Sequence, residues 1–170
     1  MNLKDYIAAV KDFPVEGILF RDITPLLASG EAFKKTCDEI AEFAKSVEAD
    51  VIAGPESRGF IFGCPVATSL EVGFVPIRKP NKLPRETVSQ SYALEYGTNT
   101  LCMHKDAVVP GQKVVIVDDL LATGGTLVAA CKLIESLGGE VVGIVCVIEL
   151  EDLNGREALN GYNVHSILKY

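Results

Sequence analysis

Apolar residues follow two patterns along this chain, and each pattern predicts a different kind of element. Between residues 31 and 47, apolar side chains recur at positions 33, 37, 40, 41, 44 and 47, which is the spacing of one buried helix face. Other apolar residues form short continuous runs, which are typical of strands buried on both faces of a parallel sheet. Such runs predict strands over residues 51–53, 73–77, 113–117, 141–148 and 164–168.

Two further apolar segments, residues 59–70 and 124–137, are long enough for helices and lie between predicted strands. Gly138 and Gly139 end the second segment, as glycine commonly does after a helix. An alternation of strands and helices is typical of a parallel sheet with helices packed against it. The pattern therefore predicts an α/β fold, a single domain over residues 1–170 with a mainly parallel sheet flanked by helices.

The N-terminal segment does not fit this alternation. Residues 3–10 predict a short helix capped by Asn2, and Phe13-Pro14 would end it. A brief apolar run at 18–20 then precedes turn residues. We therefore expect residues 1–30 to form an N-terminal flap on the domain.

A second insertion lies between the predicted strands of the sheet. Residues 88–96 and 100–103 predict a strand pair that turns at 97–99. The preceding loop, residues 78–85, holds four of the 16 basic residues and no acid. Such a loop is either an anion-binding loop or a solvated one, and its composition leaves both interpretations open. Together these segments predict a basic loop and hairpin lid over residues 78–103.

Composition and charge exclude several classes of function. The chain has 170 residues, 48% hydrophobic and 23% charged, which are the proportions of a soluble globular domain. No apolar run reaches the roughly 20 residues of a membrane helix, and the N-terminus lacks a signal-peptide core. We therefore expect a cytoplasmic protein without a membrane partner. The net charge of −7 argues against a nucleic-acid surface.

Neither the cysteines nor the histidines have the spacing of a metal site. The five cysteines are scattered without a CxxC pair, and the two histidines lie far apart. We therefore expect no metal held by protein ligands alone.

The most informative motif runs over residues 114–126, VVIVDDLLATGGT. A buried strand delivers Asp118 and Asp119 at its C-terminal end, where open α/β sheets bind ligands. Glycines and the start of the next helix provide backbone amides for a phosphate. The members of this loop are Ala122, Thr123, Gly124, Gly125 and Thr126.

A phosphate explains the loop of this motif but not its acids. Carboxylates accept hydrogen bonds from hydroxyl groups, so a phosphate next to a vicinal diol would satisfy both halves of the motif. An isolated pair of acids would be interpreted as a solvated strand end before a tight turn. The whole pattern favours a ribose 5-phosphate, and it matches neither GxxxxGK[ST] nor GxGxxG.

The motif resembles the signature for phosphoribosyl pyrophosphate (PRPP) of the type I phosphoribosyltransferase family. Three further segments resemble the adenine-using branch of this family: GILFRDIT at 17–24, ESRGF at 56–60, and RKPNKLP leading to YALEYG between 78 and 97. They occur in the family's order and cover nearly the whole chain. Pro80-Asn81 stands where relatives often carry a glycine.

The resemblance implies a purine-salvage enzyme that transfers the 5-phosphoribosyl group from PRPP to adenine, giving AMP and pyrophosphate. It also implies the family's fold and a homodimer. Two alternatives stay open. One is transfer to another purine, hypoxanthine or xanthine. The other is a regulator of the same fold that binds PRPP or nucleotide without turnover.

The resemblance also implies how the residues share the binding of PRPP. Asp118 and Asp119 would hold the ribose hydroxyls, and residues 122–126 would hold the 5-phosphate. Arg58 and Lys79 would bind the pyrophosphate and stabilise it as it leaves. Mg²⁺ would arrive bound to PRPP, without a dedicated protein cage.

Adenine would be bound by the flap and by one residue near the C-terminus. The resemblance implies that Phe20 stacks on the base, with Leu150 on its other side. The backbone of Leu19 and Arg21 would read the Watson–Crick edge. Glu95 would hydrogen-bond the imidazole side of the base and act as the catalytic proton acceptor or orienter.

The resemblance further implies a cis peptide bond near Glu56-Ser57.

Overall fold

The computed structural model describes residues 1–94 and 96–170. The chain divides into two units, Met1–Glu39 and Ile40–Tyr170. Glu95, the predicted catalytic carboxylate, lies outside the described residues. Among the described residues, no helix has the length and apolar content needed to cross a membrane.

The first unit contains a short antiparallel hairpin. A 3₁₀ turn at Leu3–Tyr6 is capped by the side chain of Asn2, and it is followed by β1 (Ala8–Lys11) and β2 (Leu19–Asp22). The two strands pair from Ala8 opposite Asp22 to Lys11 opposite Leu19. The prediction of a helix over residues 3–10 is therefore wrong beyond Tyr6. Pairing with β2 satisfies the backbone of residues 8–11, and this contact outweighs the weak local helix propensity.

Two helices follow the hairpin. The short α1 (Thr24–Ala28) begins next to Asp22, whose carboxylate accepts hydrogen bonds from the backbone N–H and the hydroxyl of Thr24, at 2.9 and 2.7 Å. This helix was not predicted. The longer α2 (Gly30–Ser46) confirms the amphipathic pattern and extends from the first unit into the second.

The second unit is built on a five-stranded sheet. After α2 the chain forms β3 (Val51–Pro55), α3 (Arg58–Leu70) and β4 (Gly73–Ile77). A second hairpin follows, formed by β5 (Thr87–Ala93) and β6 (Thr98–His104). The remaining elements are β7 (Lys113–Leu121), α4 (Gly125–Ser136), β8 (Glu140–Glu149), α5 (Gly155–Ala158) and β9 (Val164–Lys169).

The sheet order is β4-β3-β7-β8-β9, and every neighbouring pair is parallel. All five residues of β3 are buried, as expected for a strand covered on both faces. Buried residues of α4, such as Leu127 and Ile134, share one core with Ile116 of β7 and Ile144 of β8. The predicted α/β fold is confirmed, with β7 at the centre of the sheet.

The central strand is longer than predicted. The prediction ended it at residue 117, but β7 continues to Leu121 because it keeps pairing with β8, from Asp118 opposite Cys146 to Leu121 opposite Glu149. Asp118 and Asp119 are therefore strand residues near the carboxyl end of β7 and do not belong to the loop that follows.

The hairpin insertion is confirmed, but the predicted turn at 97–99 is wrong, because β5 ends at Ala93 and residues 98 and 99 already pair with it as part of β6. Strands β5 and β6 pair antiparallel from Thr87 opposite His104 to Ala93 opposite Thr98. Arg78, at the start of the basic loop, exchanges two backbone hydrogen bonds with Cys102 of β6, at 2.9 and 2.7 Å. Both ends of residues 78–103 are therefore tied to one another through β6.

The first turn of α3 approaches the backbone of β7 closely. A Cβ atom at Gly59 would lie 2.9 Å from the carbonyl oxygen of Val117 and 3.1 Å from the Cδ of Pro55. A side chain at this position would push α3 away from the sheet. Gly59 therefore fixes where the preceding residue, Arg58, leaves the sheet edge.

We expect Gly59→Ala to lower the free energy of unfolding by about 1–3 kcal/mol, because the added methyl group meets backbone atoms that cannot move alone. This loss should exceed the gain of roughly 1 kcal/mol that alanine normally brings to a helix. Gly30→Ala, at the open first position of α2, is the matched control and should leave stability unchanged or raised. Urea denaturation measures both, and a Gly59→Ala variant as stable as the wild type would contradict the close approach.

Candidate functional site

A cavity of about 500 Å³ opens in the second unit where β3 and β7 end. Parallel sheets commonly bind ligands at this edge, because the loops leaving the strands converge there. The lining residues come from the loop after β3, the end of β5, the end of β7 and the start of α4. They are Glu56, Ser57, Arg58, Tyr92, Ala93, Leu94, Asp118, Asp119, Leu120 and residues 122–127.

The loop between β7 and α4 forms one wall of this cavity. Gly124 has φ of 91°, and a Cβ atom there would lie 2.9 Å from the carbonyl oxygen of Gly155, so only glycine fits without strain. Helix α4 starts at Gly125, where its first backbone N–H groups have no partners within the helix. The helix dipole adds partial positive charge at the same place. The loop can therefore bind an anion.

Asp118 and Asp119 lie beside this loop and differ in their surroundings. Asp119 is buried, and its Oδ2 accepts a hydrogen bond of 2.5 Å from the Nε of Arg58. Asp118 is half-buried, and its Oδ1 accepts a bond of 2.8 Å from the backbone N–H of Asp119. Burial, and then the neighbouring carboxylate of Asp119, raise the pKa of Asp118 well above its ordinary value.

Arg58 connects the two sides of the cavity. It is the first residue of α3, and its side chain is 53% exposed while its Nε holds Asp119. The hydrogen bond and charge of Asp119 raise the pKa of the guanidinium, so Arg58 remains a cation. A pyrophosphate group bound there would meet a fixed positive charge.

Glu56 organises the loop that precedes Arg58. Its Oε1 accepts hydrogen bonds from the backbone N–H of Lys79, at 2.9 Å, and from the Nε of Arg78, at 3.1 Å. Burial alone would raise the pKa of Glu56, but these two contacts hold it below its ordinary value. The Glu56-Ser57 peptide bond is cis, as the resemblance implied.

The structure does not bring the Lys79 side chain into the cavity. Its backbone N–H is bound to Glu56, whereas the residue itself is exposed and is absent from the described lining. Asn81, two residues further along, has φ of 67°, a conformation that asparagine tolerates better than most residues.

The predicted adenine residues fall into both units. Leu19, Phe20 and Arg21 belong to β2 of the first unit, where the ring of Phe20 meets that of Phe13 edge-to-face at 5.2 Å. Leu150 follows β8 in the second unit, and its backbone N–H donates to the carbonyl of Leu121.

The sequence did not predict two structural features, one in the cavity and one behind its loop. The first is Tyr92 of β5, which lines the cavity and whose hydroxyl lies 3.1 Å from the Oγ1 of Thr126. Its sequence signal was present, since it opens the YALEYG segment three residues before Glu95. The second is an ion pair behind the loop, between Arg156 and the buried Glu149.

This ion pair supports the loop from outside the cavity. The Nε of Arg156 donates to both carboxylate oxygens of Glu149 at 2.9 Å, and the hydroxyl of Ser166 donates to the same carboxylate at 2.6 Å. Arg156 follows Gly155, where a Cβ atom would collide with the carbonyl oxygen of Ala122. The pair therefore holds α5 against the back of the loop.

No group of three His, Cys, Asp or Glu side chains within residues 1–94 and 96–170 is arranged to hold a metal ion. Asp118 and Asp119 both line the cavity, and Asp119 is already paired with Arg58.

The chain is similar to a known family and to known proteins over nearly its whole length. The model of the phosphoribosyl transferase domain matches residues 26–167. The adenine phosphoribosyltransferase of Lactobacillus gasseri is 61% identical over 170 residues, which are 100% of this chain and 97% of that protein. The corresponding protein of Lactobacillus acidophilus is 59% identical with the same coverage.

Solved structures give the same result. The adenine phosphoribosyltransferase of Thermoanaerobacter pseudethanolicus superposes with a TM-score of 0.95 at 54% identity, covering 99% of this chain and 98% of that one. The enzyme of Saccharomyces cerevisiae, complexed with adenine and an imino-altritol bisphosphate, has a TM-score of 0.91 at 41% identity and covers 97% and 96%.

The raised pKa of Asp118 predicts a pH-dependent stability. A carboxyl group whose pKa is raised on folding stabilises the fold while protonated and loses that contribution as pH rises above its ordinary value of 3.8. We therefore expect Asp118→Asn to raise the melting temperature at neutral pH, with a gain that shrinks as the pH is lowered toward that value.

The measurement is a series of thermal melts of the ligand-free protein between acid and neutral pH. Asp5→Asn, at an exposed position of the N-terminal turn, is the control for a change of net charge. A melting temperature that is lowered by Asp118→Asn at neutral pH would contradict the prediction that the ionised carboxylate of Asp118 destabilises the fold.

Proposed function

This chain belongs to the phosphoribosyltransferase family, and we propose that it transfers the 5-phosphoribosyl group of PRPP to adenine, releasing AMP and pyrophosphate. The observation that carries the proposal is that one cavity brings together an anion-binding loop, two carboxylates and an arginine. The choice of adenine rests on the full-length similarity to adenine phosphoribosyltransferases.

The ribose 5-phosphate half of PRPP fits the wall made by β7 and α4. Residues 122–126 would hold the 5-phosphate with backbone amides and the hydroxyls of Thr123 and Thr126. Asp118 and Asp119 would accept hydrogen bonds from the ribose hydroxyls. Because burial opposes the ionised form of Asp118, hydroxyl donors from a bound ribose would supply the stabilisation that it lacks.

The pyrophosphate half would lie against Arg58, with Lys79 as a second cation from the basic loop. Arg58 already lines the cavity, whereas the exposed Lys79 would have to turn toward it. Mg²⁺ would enter bound to the phosphates of PRPP, which is its habit where a protein offers few carboxylates. When bound, it supplies charge neutralisation for the leaving pyrophosphate.

The reaction forms one bond and breaks another at C1 of the ribose. N9 of adenine attacks C1 as the bond from C1 to pyrophosphate breaks, and positive charge develops on the ribose, as in other glycosyl transfers. Arg58 and Lys79 stabilise the departing oxygen. Glu95 receives or orients the proton that adenine gives up.

Adenine would be held by the flap, residues 1–30, and by Leu150. Phe20 would stack on the base, and the backbone of Leu19 and Arg21 would read its Watson–Crick edge. In this proposal the whole chain acts as one domain, with residues 78–103 as the lid that excludes water. The structure of the yeast relative contains adenine, which supports a base site in proteins of this fold.

A homodimer in the cytoplasm completes the proposal. All five cysteines lie within the described residues and are free thiols, which suits a reducing compartment. Sedimentation at micromolar concentration tests the assembly, and finding monomer alone would refute the dimer.

The function is tested by following AMP formation from adenine and PRPP in the presence of Mg²⁺, with hypoxanthine and xanthine assayed in parallel. We expect turnover with adenine to exceed that with either other base. Faster turnover with hypoxanthine or xanthine would change the base assignment. PRPP binding without turnover on any base would identify a regulator instead.

Glu95 provides a sharper test of the mechanism. Because general acid–base catalysis contributes about 10²–10⁴-fold, Glu95→Gln should lower kcat by that order while KM for PRPP changes little. Glu140→Gln, at the exposed start of β8, is the control and should keep full activity. Steady-state kinetics and melting temperature are measured on the same preparations. Wild-type kcat in folded Glu95→Gln protein would remove Glu95 from the mechanism.

A further inference from the structure

Tyr92 contacts the phosphate loop through both its ring and its hydroxyl. The phenolic oxygen lies 3.1 Å from the Oγ1 of Thr126. The ring lies over Gly125, since a Cβ atom added there would stand 3.2 Å from the Cδ2 of Tyr92. A half-buried residue of the hairpin therefore packs against the first turn of α4.

The direction of this hydrogen bond decides what Thr126 can do. A threonine hydroxyl has one proton to donate, and it can accept a bond at the same time. If Tyr92 donates to Thr126, the proton of Thr126 remains for an anion in the loop. If Thr126 donates to Tyr92, that proton is used inside the protein and is lost to the ligand.

A neighbouring residue favours the first direction. Asn99 lies directly opposite Tyr92 in the β5–β6 pair, and its Nδ2 is 3.5 Å from the phenolic oxygen. An amide nitrogen can only donate. The phenolic oxygen can accept from Asn99, and its own proton is then available to donate to Thr126, which is the direction that the inference adopts.

We infer that Tyr92 is a positioning residue for phosphate binding, in a chain of donors that runs from Asn99 through Tyr92 and Thr126 to the 5-phosphate. The inference rests on the proposed function, which puts that phosphate in the loop. Hydrogen bonds that point the same way polarise one another, so each strengthens the next. The chain also ties the hairpin lid to the phosphate site, so that phosphate binding favours the hairpin position seen here.

The test removes one oxygen atom. Tyr92→Phe keeps the ring over Gly125 and deletes the hydroxyl. We expect KM for PRPP to rise about 3- to 10-fold, the size of one neutral hydrogen bond, with kcat nearly unchanged because the contact is made before and during the reaction. KM for adenine should stay at the wild-type value.

The matched control lies at the other end of the same helix. Tyr162 donates a hydrogen bond of 2.6 Å to Glu135 near the C-terminus of α4. Tyr162→Phe therefore loses a tyrosine hydroxyl bond to the same helix, here to a carboxylate, and it should lower the melting temperature without changing KM for PRPP. A KM unchanged in Tyr92→Phe, or raised equally in both variants, would overturn the inference.

A double-mutant cycle isolates the pair. In a Thr126→Val background, Tyr92→Phe should have no further effect on PRPP, because the hydroxyl that it orients is already gone. The same rise in both backgrounds would show that Tyr92 acts by another route and would overturn the inference.

Binding of ribose 5-phosphate by calorimetry separates this inference from the proposed function. The four proteins of the cycle should show the same coupling in affinity for ribose 5-phosphate, even if no purine is turned over. Activity with adenine but no coupling would overturn the role of Tyr92 alone. Coupling without activity would overturn the transfer to adenine alone, and a wild type that does not bind ribose 5-phosphate would overturn the inference.

Discussion

The candidate site depends on the parallel pairing of β7 between β3 and β8. Because pairing with β8 continues through Asp118 to Leu121, the two acids are held by the sheet and cannot move as loop residues would. The neighbouring strand β3 delivers Arg58 to the same edge, and the glycine after it lets the helix come within contact of Val117. The ion pair between Arg58 and Asp119 follows from this geometry.

The loop that follows β7 is supported from two directions. Behind it, the ion pair of Arg156 and Glu149 fixes α5, and Gly155 packs on the carbonyl of Ala122. At its helical end, Tyr92 packs on Gly125 and binds Thr126. Such support matters because binding is tighter when the backbone N–H groups already point toward the anion. If the loop had to become ordered on binding, that entropy cost would reduce the affinity. Asp118 is held in the same wall, where burial and then the carboxylate of Asp119 raise its pKa and so disfavour its ionised form.

Patterns local in sequence predicted most of the fold. The structure confirms the strands predicted at β3, β4, β8 and β9 and the helix predicted at α2. These elements were predictable because buried positions are apolar, and the spacing of apolar residues along the chain differs between strands and helices. Two of the errors occurred where pairing with another strand decides the conformation. Residues 8–11 form a strand because β2 pairs with them, and β7 extends by four residues because β8 does.

The sequence by itself determined the family resemblance and the chemistry of the phosphate loop, since glycines, threonines and paired acids within thirteen residues are a local signal. Only the tertiary structure decided which side chains meet. Arg58 and Asp119 are 61 positions apart, and Tyr92 and Thr126 are 34 apart. Such contacts depend on strand order and on the close approach of backbones, and the spacing of residues along one segment determines neither of them.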